Sequence, residues 1–331
     1  MLMSTLAPTL EAFFTERLMN QRAASEHTVA AYCDTFRLLL CFAERQSSKA
    51  PSVLDFSDLD APLIGAFLDH LEHERGNSVR TRNARLAAVH SMYRFAALSH
   101  PEHAALIQRV LAIPTKRGIR TDVTFLEPHE VDAVLGAVDR TRWIGRRDHA
   151  LLVLAIQSGL RVSELTGLTC GDIHLGKGAH VRCTGKGRKE RCTPLTTNTV
   201  AVIGAWLNER GGAPGDPLFS TSTGRRLSRD AVALFLSKYT RIAQVGCPTL
   251  KTKRISPHVM RHTCAMALLR AGVEITVLAL WLGHESIEAT QIYIHADMAI
   301  KERALARTAP LDATPGRYRA SDALMAFLDS L

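Results

Sequence analysis

Residues 99–124 divide the chain. Pro101, Pro114 and Gly118 interrupt regular structure there, and Lys116, Arg117 and Arg120 make the stretch basic. Upstream of it, apolar residues recur only at helical spacing. Downstream, helical patterns are interrupted by one alternating, glycine-centred segment. A chain of 331 residues is long enough for two cores of ordinary size on either side of such a break. The expected organisation is a helical domain over 6–98, an extended basic linker over 99–124, a second domain over 125–307, and a tether with a terminal helix over 308–331. The expected fold is mainly α, with a small antiparallel β-hairpin or sheet in the second domain.

The upstream pattern predicts four helices. Leu10, Phe13, Phe14 and Leu18 mark the first, and Val29, Tyr32, Phe36, Leu39, Leu40 and Phe42 line a second over 28–44. A third covers 61–74. A fourth covers 78–98 and opens with Arg80, Arg82 and Arg85. Those arginines read either as a solvated helix face or as phosphate contacts near a helix start.

Downstream, Pro128 suits the first turn of a helix. An apolar helix over 147–158 carries Leu151, Leu152, Val153, Leu154 and Ile156 and stops at Gly159, and Ser163, Glu164 and Leu165 begin a short one. Residues 180–195 alternate around Gly185-Lys186-Gly187-Arg188, which predicts a hairpin. Helices follow over 198–210 and 228–245. Ser256 and Pro257 suit the start of another, ended by Gly272, and two more cover 274–282 and 286–294. The end of the chain places Leu324, Met325, Phe327, Leu328 and Leu331 on an amphipathic helix too short to stand alone.

Forty-one Lys and Arg against 32 Asp and Glu leave a formal charge of +9, which favours an anionic partner such as nucleic acid. Seven cysteines, an odd number with no C-x-x-C pair, argue against a disulfide framework and structural zinc. The first residues lack the basic and apolar regions of a secretory signal, and no run reaches membrane-span length. A cytoplasmic location is expected.

Between Ser256 and His295, polar residues able to grip or attack a phosphate lie within core-like sequence. Arg161 and Arg261 sit beside apolar residues, where an unpaired guanidinium is costly. Each reads either as half of a buried ion pair, with Glu164 available to Arg161, or as a bidentate fork on a phosphate. Lys186, with Arg188 and Lys189 beside it, reads as a solvated turn or as a cation that protonates a leaving oxygen. His258 and His262, four apart, have the spacing of a zinc pair, but Arg261 between them repels a metal and no Glu stands there as base. His262 taken alone reads as a core histidine with a satisfied partner. His284, after Gly283, reads as a helix cap or as an acid–base group. Tyr293 reads as a core tyrosine or, given neighbouring cations and a proton acceptor, as a nucleophile.

Five segments together resemble the tyrosine recombinase (phage integrase) family. They are Gly159-Leu160-Arg161-Val162-Ser163-Glu164-Leu165, Gly185-Lys186-Gly187-Arg188-Lys189-Glu190-Arg191, Pro257-His258-Val259-Met260-Arg261-His262-Thr263, Leu282-Gly283-His284 and Tyr293-Ile294-His295. The general style is like Xer-type and mobile-element integrases. Ala265-Met266 and Ala279-Leu280 stand where family members often carry Thr and Gln.

The resemblance implies a helical core-binding domain and a mixed α+β catalytic domain that form a C-shaped clamp around double-stranded DNA. It implies that Arg161 and Arg261 hold the scissile phosphate and that Lys186 protonates the departing 5′ oxygen. His258 and His284 then assist, Glu164 supports them from behind, and Tyr293 attacks to leave a 3′-phosphotyrosyl bond. No metal, cofactor or ATP is implied. Arg80, Arg82, Arg85, Lys116, Arg117, Arg120, Arg188 and Lys189 are candidate backbone contacts. Other recombinase protomers, in a tetrameric synapse, are the expected partners. A non-catalytic DNA-binding protein of the same fold and a type IB topoisomerase-like relaxing enzyme are the competing readings.

Overall fold

A computed structural model describes residues 6–118, 123–185, 189–284 and 287–295. Two compact units divide between Arg120 and Thr121.

The first unit is helical. Helix α1 (Leu6–Ala12) runs directly into a π-helical segment (Phe13–Gln21), so the first expected helix is present with an altered hydrogen-bond pattern. Helices α2 (Glu26–Ser47), α3 (Ala61–His73) and α4 (Val79–Ala96) follow. Their starts are written in the sequence: Ser25, Asp60 and Ser78 accept the backbone N–H groups of Thr28, Leu63 and Thr81. Aromatic rings hold the centre. Phe13 lies 6.2 Å from Tyr32, 6.1 Å from Phe36 and 5.8 Å from Phe95, centroid to centroid. The buried Tyr93 hydroxyl donates to the Leu59 carbonyl.

The stretch expected as an extended linker is different. A 3₁₀ turn (Pro101–His103) leads into helix α5 (Ala104–Leu111), whose Ile107 and Val110 are wholly buried in the first core. His90 of α4 bonds the Val110 carbonyl at 3.1 Å. The two prolines conceal this helix from a sequence reading because each lies outside it. Pro101 opens the 3₁₀ turn and Pro114 follows the last helical turn.

The second unit is built around helix α7 (Trp143–Ser158), which buries Leu151, Leu152, Leu154 and Ala155. Helices α6 (Pro128–Gly136), α9 (Thr197–Arg210), α10 (Arg229–Ala243) and α11 (Pro257–Arg270) share its core. The sheet has three antiparallel strands in order β1 (Ile173–His174), β2 (His180–Thr184) and β3 (Glu190–Pro194). Val181 pairs with Thr193, and Cys183 with Arg191. The short helix α8 (Val162–Gly167) follows α7, and α12 (Ile275–Leu282) and α13 (Glu288–His295) close the described chain. Ser256 stands at the N-cap of α11, but its side chain caps nothing.

The second core also contains charge. Asp148, 1% exposed, accepts both Nε and Nη2 of the buried Arg147 and the hydroxyl of Tyr239. Glu130, also 1% exposed, accepts from Thr249 and from Lys253.

Candidate active site

Two helix ends and one helix face make the site. Helix α7 stops at Gly159 with φ +65, and a Cβ there would lie 2.8 Å from Leu282 Cδ2, so any larger residue at the position is strained. Arg161 follows as the N-cap residue of α8. Helix α12 stops in the same way at Gly283, φ +64, and presents His284. Between these turns, α11 contributes His258, Arg261 and His262 from successive turns.

Arg261 joins the two turns. It is 3% exposed and donates from Nη1 to the Gly159 carbonyl at 2.7 Å and from Nη2 to the Leu282 carbonyl at 2.6 Å. Burial, with Arg161 nearby, pulls its guanidinium down to about 10, still a cation at neutral pH. Arg161 donates from Nη2 to the Gly283 carbonyl at 3.3 Å and from Nη1 to Glu164 Oε1 at 3.0 Å. Glu164 also accepts the Arg161 backbone N–H at 2.6 Å. Burial alone would raise the Glu164 carboxyl. Hydrogen bonds from Arg191 and the Arg161 backbone, with both positive charges, hold it below the usual carboxylate range.

Tyr293 arrives on α13, 1% exposed. Its ring lies parallel to His284, 6.5 Å away with a 7° interplanar angle. Its hydroxyl lies 3.0 Å from His262 Nδ1. Burial raises the phenol to about 12, even with Arg261 and Arg161 pulling the other way. His284 bonds the Thr290 hydroxyl through Nδ1 at 2.7 Å. Burial, followed by the charges of Arg261, Arg161 and Arg191, lowers it to about 4. His262 falls to about 4 through burial, then through His258 and Arg261. Both imidazoles are therefore neutral near pH 7.

The structure thus gathers Arg161, Glu164, His258, Arg261, His284 and Tyr293 around one pair of turns. Lys186 and Arg188 lie outside the described residues, as do Arg120 and the expected terminal helix. Two participants escape a sequence reading. His262 touches the Tyr293 hydroxyl; its signal is the spacing from His258 that also suggests zinc. Arg191 pairs with Glu164 at 2.7 and 3.0 Å; its signal is only one more basic residue near a basic turn.

The candidate backbone contacts separate. Arg80, Arg117 and Lys189 are exposed. Arg82 is 5% exposed and donates to the Pro114 carbonyl and Asn83 Oδ1, so its guanidinium faces inward, because the end of the expected linker folds over it. Arg85 is half-buried and donates to Thr35 Oγ1. Lys116 is exposed and bonds Glu72 at 2.5 Å, with Asp69 at 3.9 Å.

A buried arginine, a half-buried one, two neutral histidines and a tyrosine meet here, an arrangement able to grip and attack a phosphate. The chain belongs to the phage integrase family of tyrosine recombinases, enzymes that cleave and rejoin DNA strands. Residues 124–299 match the model described as "Phage integrase family", and residues 12–100 match "Phage integrase, N-terminal SAM-like domain". The integrase/recombinase y4rC of Sinorhizobium fredii is 56% identical over 99% of both chains. The tyrosine recombinase XerC of Pelobacter propionicus is 33% identical over 86% of this chain and 90% of its own. Among solved structures, the Tn1549 transposon integrase in complex with circular intermediate DNA has the same fold, with a TM-score of 0.68. It is 16% identical over 89% of this chain and 98% of its own. Among the described residues, no helix is long and apolar enough to cross a membrane.

Proposed function

We propose that this chain is a site-specific DNA recombinase of the cytoplasm in which Tyr293 attacks a backbone phosphate. The observation that carries this reading is the shared scaffold. Arg261 is fixed on the carbonyls of Gly159 and Leu282, and Arg161 is fixed on that of Gly283. The groups that would hold the phosphate are thereby set by the same turns that present His284 beside Tyr293.

The chemistry follows from the charges. Guanidinium groups neutralise the non-bridging oxygens as charge grows on them, a task a preorganised cation performs without rearrangement. The buried phenol must lose its proton as it attacks, and His262, in contact with it, would receive that proton once a bound anionic phosphate makes the imidazole more basic. The phosphorus–tyrosine bond forms as the bond to the 5′ oxygen breaks, and Lys186 is the expected donor to that oxygen. The 3′-phosphotyrosyl ester preserves the bond energy, so a 5′ hydroxyl can reverse the step without ATP. The first unit, with exposed Arg80 and Arg117, would add phosphate contacts on the same duplex. Segment 321–331 would dock on a neighbouring protomer in a four-protomer synapse serving integration, excision or resolution of a DNA element.

A nicked duplex built from the DNA flanking the gene tests the reading. The wild-type chain should give a detergent-stable protein–DNA adduct. Tyr293→Phe should bind equally and give none. An undiminished adduct would place the nucleophile elsewhere. Binding without any wild-type adduct would favour a non-catalytic role, and relaxation of supercoiled DNA without strand exchange would favour a topoisomerase.

A further inference from the structure

Arg191 lies on β3 near the turn end of the β2–β3 hairpin, paired with Cys183, with its guanidinium against three parts of the site. It makes a two-point ion pair with Glu164, Nη1 to Oε1 at 3.0 Å and Nη2 to Oε2 at 2.7 Å. A Cβ at Gly283 would lie 2.8 Å from Arg191 Nη1, and one at Gly185 would lie 3.0 Å from the same atom. Gly283 precedes His284, and Gly185 precedes Lys186. Both glycines therefore leave room for this one side chain.

Exposure separates the two arginines that share Glu164. The Arg191 side chain is 13% exposed and that of Arg161 is 29%. Arg191 Nε is buried with no partner among the described residues. Arg191 thus faces the protein, and Arg161 keeps an open side. Glu164 carries one negative charge, its side chain 4% exposed. Were Arg161 its sole partner, that charge would cancel the cation needed by a phosphate. Two guanidinium groups around one carboxylate leave a net positive charge on the open side.

We infer that Arg191 is a positioning residue that neutralises Glu164, leaving Arg161 free for the scissile phosphate. The inference rests on the proposed phosphate chemistry of this site. Removing Arg191 turns Glu164 fully onto Arg161, and removing the Glu164 charge as well releases it. A purely structural Arg191 would change stability and the folded fraction but not the rate per folded molecule, so each variant's rate is compared at equal folded protein beside its unfolding free energy.

The test uses the full-length chain and the nicked duplex described above under single turnover. Arg191→Met, similar in length but uncharged, should slow adduct formation by about 10- to 100-fold, the range typical when a group supporting a functional residue is removed. The half-saturating DNA concentration should stay within about twofold, since the loss falls on the chemical step. Arg191→Lys, which keeps the charge and loses the fork, should fall between. Glu164→Gln added to Arg191→Met should recover about tenfold in rate, the interaction expected of two residues acting as a unit. An unchanged rate in Arg191→Met overturns the inference, as does a double variant no faster than the single one. If Arg191→Met fails to fold, Arg191→Gln with and without Glu164→Gln takes its place, and the inference stands or falls on the same recovery of rate. A wild-type chain that forms no adduct fails at the earlier step and removes the phosphate reading itself.

Discussion

The two units bury different kinds of matter. The first is organised around Phe13, Phe36, Phe95 and Tyr93, and its charged groups stay near the surface apart from Arg82. The second buries Glu130, Arg147, Asp148, Glu164 and Arg261 within or beside a core that is mostly aliphatic, with Trp206, Phe219 and Tyr239 among it. Both folds are mostly helical, so secondary structure does not explain the contrast. A buried aromatic cluster needs only complementary shape. A buried charge needs a defined partner in a defined place, and that requirement is what a reaction site exploits.

Stability should break the comparison first. Asp148→Ala strands Arg147 and the Tyr239 hydroxyl in the second core, and should cost about 3–5 kcal/mol in denaturant unfolding. Phe13→Ala should cost a similar amount, about 3–5 kcal/mol, through a cavity in the first core. The two losses differ in kind. Replacing Arg147 and Asp148 together with apolar residues should recover most of the first, whereas a second core truncation beside Phe13 should deepen the other. Equal behaviour of the two pairs would dissolve the contrast.

The next effect is on chemistry. Arg261→Lys keeps the charge but cannot reach both carbonyls with a planar fork. It should lower the rate of adduct formation by about 10²–10³-fold, the cost of losing one preorganised donor.

Acid sharpens the difference further. His262 and His284 sit near 4 in the folded second unit, below the ordinary value of about 6.5. The unfolded chain therefore binds more protons at intermediate pH, and unfolding free energy rises with pH across that window. The second unit should be fully supported above about pH 6.5 and lose stability as the pH falls towards 4. His90, lowered by burial, gives the first unit a weaker trend of the same sign. Chemical denaturation at a series of pH values checks this. Replacing His262 and His284 with Gln should reduce the slope of the second unit alone, with His149 and His258, also lowered by burial, keeping the remainder.

The smallest effect separates neighbouring arginines on α4. Arg80→Ala should reduce the salt dependence of DNA affinity by about 0.9 log units per log of salt, the share of one phosphate contact. Arg82→Met should leave that slope alone, because its guanidinium faces Pro114. A change of slope in both would mean that α4 opens on DNA.

Much of the fold is legible in the chain. Helix starts at Ser25, Asp60 and Ser78, helix ends at Gly159 and Gly283, and the hairpin are local signals and appear where chemistry puts them. The principal site residues can be read because buried polar types in apolar sequence are costly without a purpose. Helix α5 is hidden by its flanking prolines, although Ile107 and Val110 have helical spacing. The inward turn of Arg82 and the pairing of Arg191 with Glu164 depend on residues 32 and 27 positions away. No local pattern carries such a choice, since an exposed arginine and a folded-in arginine are written alike.

The grip of Arg261 on two carbonyls has a cellular consequence. A copy lacking the Tyr293 hydroxyl should still fold, find DNA and occupy a place in an assembly. It would act as a poison, blocking intact copies. A copy lacking the Arg261 side chain leaves two buried carbonyls unmet and should be cleared by proteases before it competes. If Tyr293 is the attacking group, its loss should therefore be dominant and loss of the Arg261 side chain recessive, and co-expression with the intact chain distinguishes the two.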